Sequence, residues 1–231
     1  MELICYIYTD TREKYDDADC HAIKHDLEKL AGDLCLVMNY SQVTRERIEQ
    51  IDPWAVCHSG KSTPFEEYDV IEHEGYRWLV MESGIPQIGF CGGKNVIVTM
   101  FGGETEKMRR LRPDDPDLAP QYRPGWFKEW GVWPIEIVED DPLFAGLTSP
   151  MRIWVMHCGE TTDIPEGFRL LASSADCRVQ ALVHEELPLY GTQFHPERRQ
   201  EEYPDGFRVL SNFFDIAREH TQSPSQSEQE A

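Results

Sequence analysis

Two short stretches of this 231-residue chain gather residue types that do covalent chemistry. The first is Gly89-Phe90-Cys91-Gly92-Gly93. A cysteine between small residues can sit on a sharp strand-to-helix turn, which lifts its sulfur clear of a sheet. A free thiol has a pKa of about 8.5 and is mostly protonated near neutrality. A helix N-terminus behind the sulfur and an imidazolium beside it would both favour the thiolate. Taken by itself, the motif describes an inert buried cysteine in a glycine-rich turn equally well. The second stretch is Gly191-Thr192-Gln193-Phe194-His195-Pro196-Glu197. Pro196 biases His195 towards extended backbone, where residues two apart point the same way. The Glu197 carboxylate can then fix the imidazole tautomer and leave the other ring nitrogen for a thiol. A lone His-Pro-Glu is more often a surface turn; with a cysteine elbow it completes a set of nucleophile, base and orienting carboxylate.

The elements that must hold these stretches follow from periodicity. Leu3 to Tyr8 and Leu34 to Tyr40 are β-prone. Between them Cys20, Ile23, Leu27 and Leu30 recur at helical spacing, with Gly32 as a stop. The alternation continues with a helix at 45–51, a strand at 54–57, a helix at 68–81 and a strand at 87–90 that runs into Cys91. A buried helix over Asn95 to Phe101 ends at Gly102-Gly103. This predicts an α/β domain with a doubly wound, mostly parallel sheet and helices on both faces. Residues 104–130 are charged and proline-rich, and form an ordered excursion near the site. Its Trp126, Phe127 and Trp130 suit either a lid or a satellite hydrophobic cluster. Strands return at 134–138, 152–156, 168–172, 179–183 and 189–194. A last amphipathic helix carries Val209, Leu210, Phe213, Phe214 and Ile216. The single domain spans 1–220, and the Ser/Gln/Glu-rich residues 221–231 form a disordered acidic tail.

The formal net charge of −20 opposes phosphate backbones and anionic lipid headgroups, so neither nucleic acid nor a membrane is an expected partner. Seven scattered cysteines without a Cys-x-x-Cys pair point to a reducing, cytoplasmic setting. Met1 to Asp10 does not read as a signal peptide, and no apolar run is long enough to span a bilayer. Ser59-Gly60-Lys61-Ser62 imitates a phosphate-binding loop, but Ala55 stands where that motif needs glycine. His21 and His25 share a helix face without an evident third ligand, so no metal is expected.

The ordered set GFCGG at 89–93, HCGE at 157–160, YGTQFHPE at 190–197 and DGFRVLSNFF at 205–214 resembles the class I glutamine amidotransferases. The resemblance runs from about Trp54 to His220. It implies a flavodoxin-like fold, Cys91 as nucleophile, His195 as general base and acid, and Glu197 as the residue that orients it. It implies backbone oxyanion donors from Gly60 or Lys61 and from Gly92, with Lys61 replacing the second glycine of the usual S-G-G. Where many members carry Gly-His-Gln or Gly-x-Gln, this chain has Gly93-Lys94-Asn95. Asn95 offers the same amide on a shorter arm, and Lys94 either attracts a substrate carboxylate or faces solvent. His157 is expected near the pocket. The implied activity is hydrolysis of the glutamine side-chain amide through a γ-glutamyl thioester, without a cofactor, releasing ammonia for a separate synthetase subunit. The alternatives are a γ-glutamyl peptidase and a catalytically silent regulatory protein on the same scaffold.

Overall fold

Alternation along the first strand, β1 (Leu3–Tyr8), divides the interior in two. Ile4 and Tyr6 pack with Leu27, Ile88, Phe90 and Phe213. Cys5 and Ile7 point the other way, into Val56, Leu79, Val96 and Ile97. The computed structural model describes residues 2–222. After β1 come α1 (Arg12–Asp16), α2 (His21–Ala31), β2 (Leu34–Asn39), α3 (Arg45–Ile51), β3 (Ala55–His58), α4 (Glu74–Glu82), β4 (Gln87–Phe90) and α5 (Gly92–Met100). The remainder is β5 (Glu104–Lys107), β6 (Glu129–Ile137), β7 (Met151–His157), β8 (Gly159–Asp163), β9 (Phe168–Ser173), β10 (Ala181–His184), β11 (Leu189–Thr192) and α6 (Asp205–Gln222).

Among the described residues, nine strands form one sheet in the order β2-β1-β3-β4-β11-β10-β9-β6-β7. From β2 to β11 every neighbouring pair is parallel. Beyond β11 the pairs are antiparallel. The chain between β9 and β11 is too short for crossover helices, and antiparallel pairing is the arrangement short links permit. The sheet is thus mixed, with its parallel half under the functional stretches. The α2 and α6 side chains cover one face, and α3, α4 and α5 the other. Thr44 caps α3 by accepting from the Arg47 N–H at 3.1 Å.

Several boundaries depart from the sequence reading, three of them at helices. The helix expected from residue 68 starts at Glu74, where the His73 ring caps the Tyr76 N–H at 3.3 Å. The helix expected from Asn95 starts at Gly92. Helix α6 continues through Thr221 and Gln222, the first two residues of the expected tail; 223–231 lie outside the described residues. Strands β5 and β8 pair as a separate ribbon within and beside the polar excursion.

Candidate active site

Cys91 occupies the single residue between β4 and α5, with φ of 47° and ψ of −99°. Positive φ is uncommon for a residue with a Cβ, and holding it costs on the order of 1–3 kcal/mol. Its N–H donates to Thr192 O at 2.6 Å, which ties the turn to the end of β11. Burial pushes the Cys91 thiol up, but the His195 imidazolium and the Lys94 ammonium more than offset this, and its pKa is lowered overall.

Strand β11 runs parallel to β4, with Thr192 opposite Phe90, so the segment leaving β11 emerges beside the elbow. The His195 N–H is fixed on Trp154 O at 2.8 Å. Its Nδ1 meets Glu197 Oε1 at 2.7 Å. Burial disfavours the imidazolium, but Glu197 and the Cys91 sulfur overcome that penalty and raise the His195 pKa to about 10. Among the described residues the buried Nε2 has no aligned hydrogen-bond partner. The Cys91 sulfur acts on it chiefly through charge. Ring and elbow converge over the loop after β3: a Cβ on Gly60 would lie 3.1 Å from His195 Cε1 and 3.9 Å from Cys91 Cβ.

That loop is anchored from β1. Thr9 Oγ1 donates to Ser59 O at 2.8 Å, and Asp10 Oδ2 accepts from the Ser62 N–H at 2.8 Å and the Thr63 N–H at 3.3 Å. Burial penalises the Asp10 carboxylate, yet these donors, with the Thr11 N–H and Lys14, hold its pKa down to about 2. The Lys61 ammonium turns back to Thr63 O at 2.8 Å and lies 3.6 Å from the Phe65 ring centroid. Its backbone N–H stays at the elbow. A Cβ on Gly92 would fall 2.2 Å from Lys61 N, so only glycine lets the two backbone segments approach this closely. Gly60, Lys61 and Gly92 thus bring three backbone positions together around the elbow.

Cys91, His195, Glu197, Gly60, Lys61, Gly92 and Asn95 share one cavity of about 670 Å³. The buried Asn95 Oδ1 has no hydrogen-bond partner among the described residues. Lys94 does not join them. It is fully buried beneath the elbow, where Nζ donates to Gln193 Oε1 at 2.6 Å and Val179 O at 3.2 Å. It neither lines the cavity nor faces solvent, because its place in the first turn of α5 directs it under the sheet. His157 borders the cavity, but both ring nitrogens are engaged, Nδ1 with Gly159 O at 3.0 Å and Nε2 with Glu129 Oε2 at 3.0 Å. Glu129 is itself buried and also accepts from Gln180 and Ser174, so His157 belongs to a packed polar network rather than to a substrate contact. The aromatic residues expected as either a lid or a satellite cluster divide between the two. Trp130 and Tyr122 line the cavity with ring centroids 5.8 Å apart, Phe127 packs with Met108 and Cys177, and Trp126 lies under Arg110. His21 and His25 are exposed on α2. Sequence reasoning missed Gln193, whose Nε2 lies 3.4 Å from the Cys91 sulfur. The two-residue period that aims Glu197 at His195 also aims Gln193 to their side of the chain.

Residues 17–217 match the family model described as glutamine amidotransferase class-I. The chain belongs to that family. It is 33% identical to the glutamine-hydrolysing GMP synthase subunit of Archaeoglobus fulgidus, over 86% of this chain and 92% of the relative. It is 29% identical to the corresponding GMP synthase subunit of Thermococcus kodakarensis, over 86% and 93% of the two chains. Among solved structures, a protein assigned as a GMP synthase subunit, from Thermoplasma acidophilum, superposes with a TM-score of 0.72 at 23% identity, covering 96% of this chain and 99% of that one. A Thermotoga maritima glutamine amidotransferase gives 0.63 at 15% identity, covering 97% and 87%. These two likenesses show the amidotransferase fold. Among the described residues of this amidotransferase, no helix is long and apolar enough to cross a membrane.

Proposed function

We propose that this amidotransferase hydrolyses the side-chain amide of glutamine through a thioester on Cys91. The observation that carries the reading is the convergence of a buried, strained cysteine with a histidine whose far nitrogen is held by Glu197 at 2.7 Å. The Cys91 thiolate attacks the γ-amide carbon, and the carbonyl π electrons move onto oxygen. The Gly92 N–H and the N–H of Gly60 or Lys61 stabilise that oxyanion. As the intermediate collapses, the C–N bond breaks and the His195 imidazolium gives its proton to the departing ammonia. Water then adds to the thioester carbon, losing a proton to His195. The C–S bond breaks, and glutamate leaves with thiolate and imidazolium restored. Glu197 keeps the ring oriented through both halves and favours its protonated form whenever it holds the proton. Asn95 Oδ1 accepts from an N–H of the bound substrate.

The GMP synthase relatives support a division of labour in which the ammonia passes to a separate synthetase subunit. A cavity of about 670 Å³ is of the size that encloses drug-sized ligands, which favours one second reading, release of an amine from a γ-glutamyl peptide. Ammonia release from free glutamine, set against amine release from γ-glutamyl peptides at equal concentration, separates the two. Faster turnover of glutamine supports the amidase reading, and turnover of peptides alone replaces it.

A further inference from the structure

Lys94 is a buried cation that the thioester mechanism leaves unused. Its stem passes beneath the sheet through space that Gly191 leaves open; a Cβ on Gly191 would come within 2.6 Å of Lys94 Cγ. Among the described residues, no carboxylate lies within ion-pair distance of Nζ. Its partners are two uncharged oxygens, Gln193 Oε1 and Val179 O. Burying an ammonium without an anionic partner is costly, so a compensating role is expected.

The chemistry of the contact supplies one. A lysine ammonium has three donors and no acceptor, so the Gln193 amide can meet it only through Oε1. Once Oε1 is committed, Nε2 must face the other way, and there it lies 3.4 Å from the Cys91 sulfur. An N–H aimed at a sulfur stabilises a thiolate more than a thiol. We propose that Lys94 is a positioning residue, which acts through the Gln193 amide to hold an N–H donor against Cys91 and so favours its anionic, nucleophilic form. The inference deepens the thioester reading and rests on it. The charged and titratable groups around the sulfur are His195, Lys94, Lys61, Glu197, Tyr122 and Cys158, and those around Lys94 are Cys177, Cys91 and Glu160. Glu197 opposes the thiolate, and the three cations support it. Replacing Lys94 with methionine keeps the volume but frees the amide to turn, so its N–H is no longer held against the sulfur.

The test is the pH dependence of Cys91 carbamidomethylation by iodoacetamide, followed by mass spectrometry of the Cys91 peptide. It compares the wild-type chain with Lys94→Met, Gln193→Leu and the double variant, with circular dichroism to establish folding. The acid limb of each single variant should move up by about one pH unit, an approximately tenfold loss of rate on that limb. The double variant should match Lys94→Met, because that variant already loses both the ammonium charge and the aligned amide donor, and the shift in Gln193→Leu, which keeps the charge, isolates the amide's part. An unmoved limb in folded Lys94→Met, or losses that multiply in the double variant, would overturn the inference. If Lys94→Met does not fold, Gln193→Leu decides alone: a moved limb supports the inference and an unmoved one overturns it. Failure of the thioester reading looks different, since wild-type Cys91 would then alkylate only in the range of an ordinary thiol, and both proposals would fall.

Discussion

His195 Nδ1 and Glu197 Oε1 stand 2.7 Å apart across the intervening Pro196, and both side chains are buried. A carboxylate this close to a buried imidazole holds both its tautomer and its charge. Changing Glu197 to Gln keeps the shape and removes the charge. Ammonia release should fall by about 10²- to 10⁴-fold in kcat, with little change in KM for glutamine. Steady-state kinetics on the purified chain provide the check.

The shifts on Cys91 and His195 set a pH window. The Cys91 pKa is lowered, so the thiolate survives below the ordinary thiol range and turnover falls only as pH drops through that lowered value. The His195 pKa is raised to about 10, so the imidazolium that protonates ammonia is lost as pH rises through that value. A plot of kcat/KM against pH should therefore be a broad plateau bounded by these two ionisations. In Glu197→Gln the alkaline limb should move down, because the charge that raised His195 is gone.

Gly92 faces Lys61 too closely to accept any side chain, with a Cβ placed 2.2 Å from a backbone nitrogen. Gly92→Ala should force the loop after β3 away from the elbow and lose an oxyanion donor. A loss of about 10²- to 10³-fold in kcat is expected. Circular dichroism should show the fold retained, since the displaced segment is a loop.

His157 should matter for stability rather than for turnover. Its Nε2 lies 3.0 Å from the fully buried Glu129 carboxylate, and His157→Ala leaves that acid short of a donor. Urea denaturation should register a loss of about 3 kcal/mol. KM for glutamine, measured on the folded fraction, should stay near wild type.

The parallel half of the sheet was legible because its strands are short apolar runs separated by helical spacing, as in Leu3 to Tyr8 followed by Ile23, Leu27 and Leu30. The ribbon of β5 and β8 was not, since ETEK and GETTD carry too few apolar residues for a period to show. Strand β6 begins at Glu129, five places before the expected start at Pro134, because a buried acid breaks the apolar signal. At the site, Cys91, His195 and Glu197 stand out by type and spacing. Lys94 escapes sequence reasoning for a physical reason: a lysine in a first helical turn ordinarily reaches solvent, and nothing local reveals that Gln193 and Val179, distant in sequence, wait to receive it.

Covalent trapping shows whether Cys91 is the nucleophile for a γ-glutamyl substrate. The chain should be incubated with a diazoketone analogue of glutamine and its peptides analysed by mass spectrometry. One adduct is expected, on Cys91, slowed by competing glutamine and abolished in Cys91→Ser. Native protein that acquires no adduct on Cys91, or labels its other cysteines equally fast, would contradict that role and return the chain to the class of silent scaffolds.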